Sequence, residues 1–550
     1  MSDMPWLSIL IALPLVGALV VFYLPRAAEA LDGDDVTTAM EVQRRGELAK
    51  QVGLAFSGLT LLVAVLAATQ YYVGPDFSGM QLTEEHDWIA PLGVHYALGV
   101  DGLGLLMVLL TAVLVPVVLV ASWRDTDTPA PLADGSTPAV AGASSSTHAF
   151  VAWTLALESL SLAVFTATDV FLFYVVFEAT LIPAYFLIGG FGRAGRARAA
   201  VKFLIYQLAG GLVMLASVIG LYVVSAREGT PSYLLSDLAA LDIDPTTEKW
   251  LFVGFFIAFA IKAPMFPVHT WLADTTEKAT PPTSVLLVCV LDKIGTFGML
   301  RFCLGLFPGA SEWATPVVVV LALISIVYGA LVAIGQDDVL RLIGLTSLSH
   351  FGFIVLGIFV FNSNGSSGAI LYMVNHGIST AALFLIAGYL IRRTGTPLIS
   401  RMGGQEKVTP VLAGTFLVAG LAACGLPGLA PFVSEMLVIV SAFDHAWWAG
   451  AVAVTAIVLA AIYILWMYQR TMTGPEAVPQ VAGTADLDRR ELGAVVPLLV
   501  GLLLFGFYPM PLLDVINPYV DGALTHVGVN DESPTVSTGS GDTAAEGGHE

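Results

Sequence analysis

Long apolar runs recur along this chain from its first residues to about residue 512, separated by short polar stretches. A helix needs about 20 apolar residues to cross the hydrocarbon core of a bilayer. The runs predict fourteen such spans, near 5–25, 51–73, 100–122, 149–167, 169–191, 201–226, 250–270, 282–305, 314–335, 339–361, 368–391, 409–441, 447–470 and 492–512. Span seven carries Pro264 and Pro267, and span twelve carries Pro427 and Pro431. Proline removes a backbone donor and clashes with the preceding turn, so both spans are predicted to be broken helices. The stretch at 124–148 is rich in Pro, Ala, Ser, Thr and Gly without periodicity and reads as a flexible linker, as does the tail beyond about 526. No hydrophilic piece is long enough to bury a core of its own. The expected fold is an all-α polytopic membrane protein of about 14 transmembrane helices.

The distribution of charge tests that count. Only 12% of residues are charged and 56% are hydrophobic, against about 25% charged in soluble domains. With the N-terminus outside, 18 of the 23 Lys and Arg residues fall in inner loops. Three (Arg227, Lys249 and Arg301) fall outside and two lie inside the membrane. This asymmetry follows the positive-inside rule, so both termini are expected outside, with the chain multi-pass in the cell membrane. The first run lacks a basic segment before it and a small-residue cleavage site after it, and so reads as span one. The net charge of −20 gathers in DGDD at 32–35, EEHD at 84–87 and the C-terminal SGDTAAEGGHE. That acidity resembles the surface of a protein from a halophile. Nothing basic suggests nucleic acid.

Four charges are placed against this grain. Glu178, Lys262, Lys293 and Glu435 lie in the middle of apolar runs. A charge at the bilayer centre costs about 2.5–3.5 kcal/mol on insertion scales. Four such groups point to a path for protons or ions. Lys262 stands at the first proline break, and Glu435 follows the second. Irregular backbone at membrane depth is tolerated inside protein or beside a water-filled cavity, and broken helices in matching positions of two halves mark transport sites in many carriers. Glu178 is expected to pair with Lys262, each setting the protonation of the other. Asp292 adjoins Lys293, but neighbours on a helix point about 100° apart, so it is not automatically its partner. His350 and His376 lie mid-span among Ser347, Ser349, Thr346, Asn375, Ser379 and Thr380, groups suited to relaying protons or holding water. Glu158 is a further carboxylate at depth, a second proton acceptor or a hydrogen-bonded packing group. His269, beside Trp271, reads as interfacial, and Asp337, Asp338 and Arg341 as charges of a solvated loop.

Other chemistry is absent from the pattern. Cys289, Cys303 and Cys424 have neither metal-ligand nor disulfide spacing and read as small hydrophobes. Gly190, Gly192 and Gly195 spell G-x-G-x-x-G, but after a membrane span rather than in a strand–turn–helix unit, so no nucleotide site is expected. No motif for handling electrons is visible.

The segments GVDGLGLLMVLLTAVLVPVVLVASW, TDVFLFYVVFEATLIPAYFLIGG, AIKAPMFPVHTWLAD, DDVLRLIGLTSLSHFGFIVLGIF, NHGISTAALFLIAGYL and GLPGLAPFVSEML, in this order over roughly 95–470, carry a resemblance. The chain resembles the subunit M (chain-four) family of proton-pumping NADH:quinone oxidoreductases, whose members are antiporter-like. The resemblance implies helices 1–3 in 1–123, one five-helix repeat in 149–305, a second, inverted one in 314–470, helix 14 at 492–512 and an acidic tail at 526–550. It also implies that helices 7 and 12 are broken, and that Glu178, Lys262, Lys293, Glu435, His350 and His376 form a central proton line. Flavin, iron–sulfur clusters and the quinone site are then expected in partner subunits, none in this chain, with L- and N-type membrane subunits as neighbours. A glutamate at 435, where L- and N-type subunits and Na⁺/H⁺ antiporter subunits usually carry lysine, favours the M type. The alternatives are a large subunit of a multisubunit Na⁺/H⁺ antiporter or a membrane subunit of a related hydrogenase complex. One departure stands out: the family usually reads WLPDAH and then EAP after VHT, whereas this chain reads WLADTTEKATPP.

Overall fold

A computed structural model of the chain describes residues 4–24, 36–74, 79–125, 147–229, 231–475 and 485–529, with side chains described from 44 onward in the second helix. Arg26, the DGDD stretch, most of the 124–148 linker and the acidic tail from 530 lie outside the described residues.

Among the described residues, twelve helices are long and apolar enough to cross a membrane. Two further crossings are each made of two half-helices. Span seven is Pro245–Lys262 followed by Thr270–Lys278, and span twelve is Pro410–Ala423 followed by Ala430–His445. Fourteen crossings result, with both breaks at the prolines. Three helices form the centre, Pro281–Leu304, Val339–Phe359 and Ser363–Thr394, with their most apolar windows wholly buried. The remaining spans pack around them and leave apolar side chains such as Leu62, Ile205, Val317 and Val458 outward, as lipid contact requires.

The broken backbone is satisfied by protein. After Lys262, the Trp271 indole donates to the Ile261 carbonyl at 3.1 Å, and the Phe266 N–H donates to Ser325 Oγ at 2.9 Å. In the second break the Leu426 N–H reaches back to the Leu421 carbonyl and the Gly425 N–H to that of Ala422. That pair of bonds closes a helix on a left-handed residue, here Gly425 at φ +68°. Each break therefore leaves polar backbone facing protein, as the membrane interior demands.

Span eight crosses the first break at a glycine. A Cβ on Gly295 would lie 2.3 Å from the Ala263 nitrogen and 2.6 Å from the Phe259 carbonyl oxygen. Neither backbone atom can move without opening the break. Gly295→Ala is expected to cost about 1–3 kcal/mol, seen as lower heat resistance of the assembled protein. Unchanged heat resistance would contradict this close approach.

Two elements escaped the hydrophobic pattern. Residues 81–100 form an antiparallel hairpin, β1 (Gln81–Ile89) and β2 (Val94–Val100), joined by a short 3₁₀ turn. The EEHD acids lie in β1 rather than in a loop. Glu84 accepts from the Leu7 N–H at 2.7 Å and the Ser8 N–H at 3.2 Å. A carboxylate there complements the positive end of the first helix. The chain after span fourteen forms another helix, Met510–His526, packed on Gly102–Ala121 and Ser363–Thr394.

Two sets of loop charges also differ from expectation. Arg301, expected outside, is only 6% exposed, because Asp101 meets it from the start of span three. Asp338 and Arg341 belong to a partly buried network rather than a solvated loop. Arg341 donates to Asp274 at 2.7 Å and Glu277 at 2.8 Å. Lys202 donates to Asp274 at 2.6 Å, and Arg193 to Asp338 at 2.7 Å. Asp274 and Glu277 come from the atypical WLADTTEKATPP segment, whose first part is helical rather than a loop, so these acids fasten the second half of span seven to spans six and ten.

Candidate functional site

The first half of span seven ends on Lys262, which has no solvent exposure. A cation at a helix C-terminus is favoured by the carbonyls that the break leaves free. Its Nζ donates to Thr180 Oγ1 at 3.2 Å and lies 4.5 Å from the centre of the Phe177 ring. Thr180 is where span five divides into Val170–Ala179 and Leu181–Gly190. Glu178, two residues earlier, is half-buried and its Oε1 has no hydrogen bond. Glu178 and Lys262 act on each other electrostatically, but no direct ion pair joins them. The expected pair is a charge interaction across a gap, with Thr180 holding the ammonium.

Lys293 is equally buried. It lies between two π-helical turns, Leu286–Leu291 and Met299–Leu304, a local widening frequent at functional positions. Its Nζ is 2.6 Å from His376 Nδ1 and 4.3 Å from the centre of the Phe351 ring. An ammonium donates in this contact, so Nδ1 accepts and the His376 proton sits on Nε2, which has no partner. Asp292 is not hydrogen-bonded to Lys293.

From His376 the line continues through aromatic groups. The rings of His376 and His350 are 5.1 Å apart, centre to centre. His350 Nε2 is 3.4 Å from the Tyr463 hydroxyl, and its ring lies 5.8 Å from that of Tyr372. The Tyr372 hydroxyl donates in a short hydrogen bond to Glu435 Oε1. The other Glu435 oxygen faces the second break, where a Cβ on Gly425 would fall 2.2 Å from it. Glycine is therefore required at 425 both by its φ and by the carboxyl beside it. Asn375 donates to the Ala430 carbonyl at 2.8 Å, fixing span eleven to the start of the second half-helix.

The structure thus brings Lys293, His376, His350 and Glu435 together and sets Lys262 and Glu178 on the other side of span eight. Tyr372 and Tyr463 were missed. Tyr372 precedes His376 by four residues and so shares its helix face, a signal readable in the sequence. Tyr463, 113 residues beyond His350 in the chain, left none. Ser349, Thr346, Ser347 and Ser379 spend their hydroxyl protons on backbone carbonyls, which makes them weaker water holders than expected. Glu158 is 1% exposed, with neither oxygen hydrogen-bonded and no link to Glu178. His269 is buried in the break, its ring 5.2 Å from that of Tyr328 and 6.0 Å from that of Phe266, rather than interfacial.

Residues 167–460, which hold Glu178, Lys262, Lys293, His350, Tyr372, His376 and Glu435, match the family described as NADH:quinone oxidoreductase/Mrp antiporter, TM. The chain belongs to this family. It is 49% identical to the NADH-quinone oxidoreductase subunit M of Mycobacterium tuberculosis, over 98% of this chain and 97% of that protein. It is 35% identical to the subunit M of Rhodobacter capsulatus, over 86% and 90% of the two. Among solved structures, a chain of respiratory complex I from Thermus thermophilus superposes with a TM-score of 0.81 at 30% identity, covering 95% of this chain and all of that one. A chain of the Mrp complex from Dietzia shares the fold at a TM-score of 0.79 and 21% identity, over 96% of this chain and all of that one.

Proposed function

We propose that this chain is a proton-translocating membrane subunit of a respiratory NADH:quinone oxidoreductase of the M type. The observation that carries the reading is the buried succession Lys293–His376–His350–Tyr372–Glu435, which joins the centre of the fold to its second broken helix. Each member holds or passes a proton, and none handles electrons. Flavin, iron–sulfur clusters and quinone belong to partner subunits, and L- and N-type membrane subunits flank this one. The chain lies in the cell membrane with both termini outside.

A change of charge at Glu178 alters the affinity of Lys262 for its proton, because a low-dielectric setting amplifies their interaction. The proton that Lys262 releases passes to Lys293. From there imidazoles take and give protons through their two nitrogens, and the tyrosine hydroxyl delivers to Glu435.

Glu178→Gln keeps the shape of the side chain and removes its charge. In inverted membrane vesicles, the assembled complex with this substitution is expected to take up protons about tenfold more slowly on NADH addition. Normal uptake by assembled Glu178→Gln would sink the reading, as would Na⁺ exchange driven by a pH gradient without an electron donor.

A further inference from the structure

Asp292 is a buried acid that the line above does not use. It is 0% exposed, and neither carboxyl oxygen has a hydrogen bond. It follows the π-helical turn Leu286–Leu291, and its N–H reaches back five residues to the Leu287 carbonyl at 2.8 Å. The helix resumes at Lys293 without a capping bond from the Asp292 side chain. Both Lys262 and Lys293 act on this carboxyl electrostatically, and Cys289 is its other titratable neighbour. Neither lysine is bonded to it. Lys262 is turned to Thr180 and Lys293 to His376. The close approach of Gly295 to Ala263 presses this part of span eight against the break that carries Lys262.

A counter-ion would look different. On the same helix Arg301 meets Asp101, from the start of span three, in a two-pronged pair, and Asp101 also accepts from the Gly104 N–H at 2.9 Å. Asp292 accepts from no donor among the described residues. A buried carboxyl that no protein donor holds stays available to take up or release a proton, and neighbouring ammonium groups set which it does. Its protonation therefore follows the charge on the two lysines.

We propose that Asp292 is a proton-carrying group set between Lys262 and Lys293, dividing the passage between them into two shorter transfers. In the first, an N–H bond of the Lys262 ammonium breaks and an O–H bond forms on Asp292, leaving a neutral amine and a neutral acid. In the second, once the Lys293 ammonium has given a proton to His376 Nδ1 and become an amine, that O–H bond breaks and an N–H bond forms on the Lys293 amine, restoring the carboxylate. Both transfers run through water, since no direct contact joins the groups. The assignment rests on the reading of this chain as a proton-translocating subunit.

The test compares Asp292→Asn, Asp292→Glu and Lys262→Met in the assembled complex, as proton uptake by inverted vesicles relative to NADH oxidised. Asp292→Asn is expected to lower uptake about tenfold, and Asp292→Glu to restore most of it. Wild-type uptake by Asp292→Asn, with Lys262→Met inactive, overturns the role of Asp292 alone. Equal losses in Asp292→Asn and Asp292→Glu also overturn it, since a packing role would suffer from either. Wild-type uptake by Lys262→Met overturns the underlying reading instead. Infrared difference spectra across a pH step give a second readout: Asp292→Asn should remove one protonated-carboxyl band, and an unchanged spectrum counts against the proposal.

Discussion

Lys262→Met is expected to reduce proton uptake by the assembled complex about a hundredfold or more while leaving the fold at least as stable. The two effects have opposite signs because they come from different properties of the same group. The ammonium is fully buried, with one hydrogen bond to Thr180 and one aromatic face at 4.5 Å. A desolvated cation–π contact returns about 2 kcal/mol and the helix end up to about 2. Against this, an ion in the interior carries a penalty of several kcal/mol. Methionine fills nearly the same volume, packs its thioether on Phe177 in place of the cation and removes the penalty. It has no proton to give, so the link between Glu178 and the second half of the line is cut. Heat resistance of the purified complex, measured beside NADH-driven uptake, separates the two effects. A marked loss of heat resistance together with normal uptake would mean that Lys262 is a structural cation.

How much of this was readable beforehand depends on which physical quantity a residue reports. Depth in the bilayer is one-dimensional, and run length gives it directly. Hence the fourteen crossings, the breaks at Pro264, Pro267, Pro427 and Pro431, and the burial of Lys262, Lys293 and Glu435 were all legible. Rotation about a helix axis is not given by run length. Span eight is wholly buried, so no outward face in its sequence says that Lys293 turns to His376, and nothing in span seven says that Lys262 reaches Thr180 rather than Glu178. The hairpin at 81–100 was obscured because Glu85, His86 and Asp87 are exposed on one strand while Val94 and Ala97 to Val100 on the other are buried. A pattern tuned to 20-residue runs passes over it. Tyr372 and Tyr463 carry no charge to mark them, and the carboxyl of Glu435 and the imidazole of His350 turn them into links.

Arg301 was misplaced for a related reason: its counter-ion is 200 residues distant in the chain. That distance makes Asp101→Ala the most damaging structural change expected in this protein, about 3–5 kcal/mol. Asp101 performs two tasks at the start of span three. It accepts from the Gly104 N–H as the helix cap, and it holds both terminal nitrogens of Arg301. Alanine removes the cap, worth about 1 kcal/mol, and leaves a guanidinium buried without a partner, which is the larger loss. Asp101→Asn retains an oxygen for the cap but not the charge, so it should recover only the smaller part. Asp101→Leu combined with Arg301→Met replaces the pair by apolar groups and should recover most of the larger part, since a buried ion pair contributes little beyond its own desolvation. The amount of full-length chain retained in the membrane, and the survival of the complex after a heat step, report the order of these variants. If Asp101→Ala matched Asp101→Asn, Arg301 would have to find another acceptor, and the ring of Tyr519 at 5.7 Å is a neutral group that cannot replace the carboxylate.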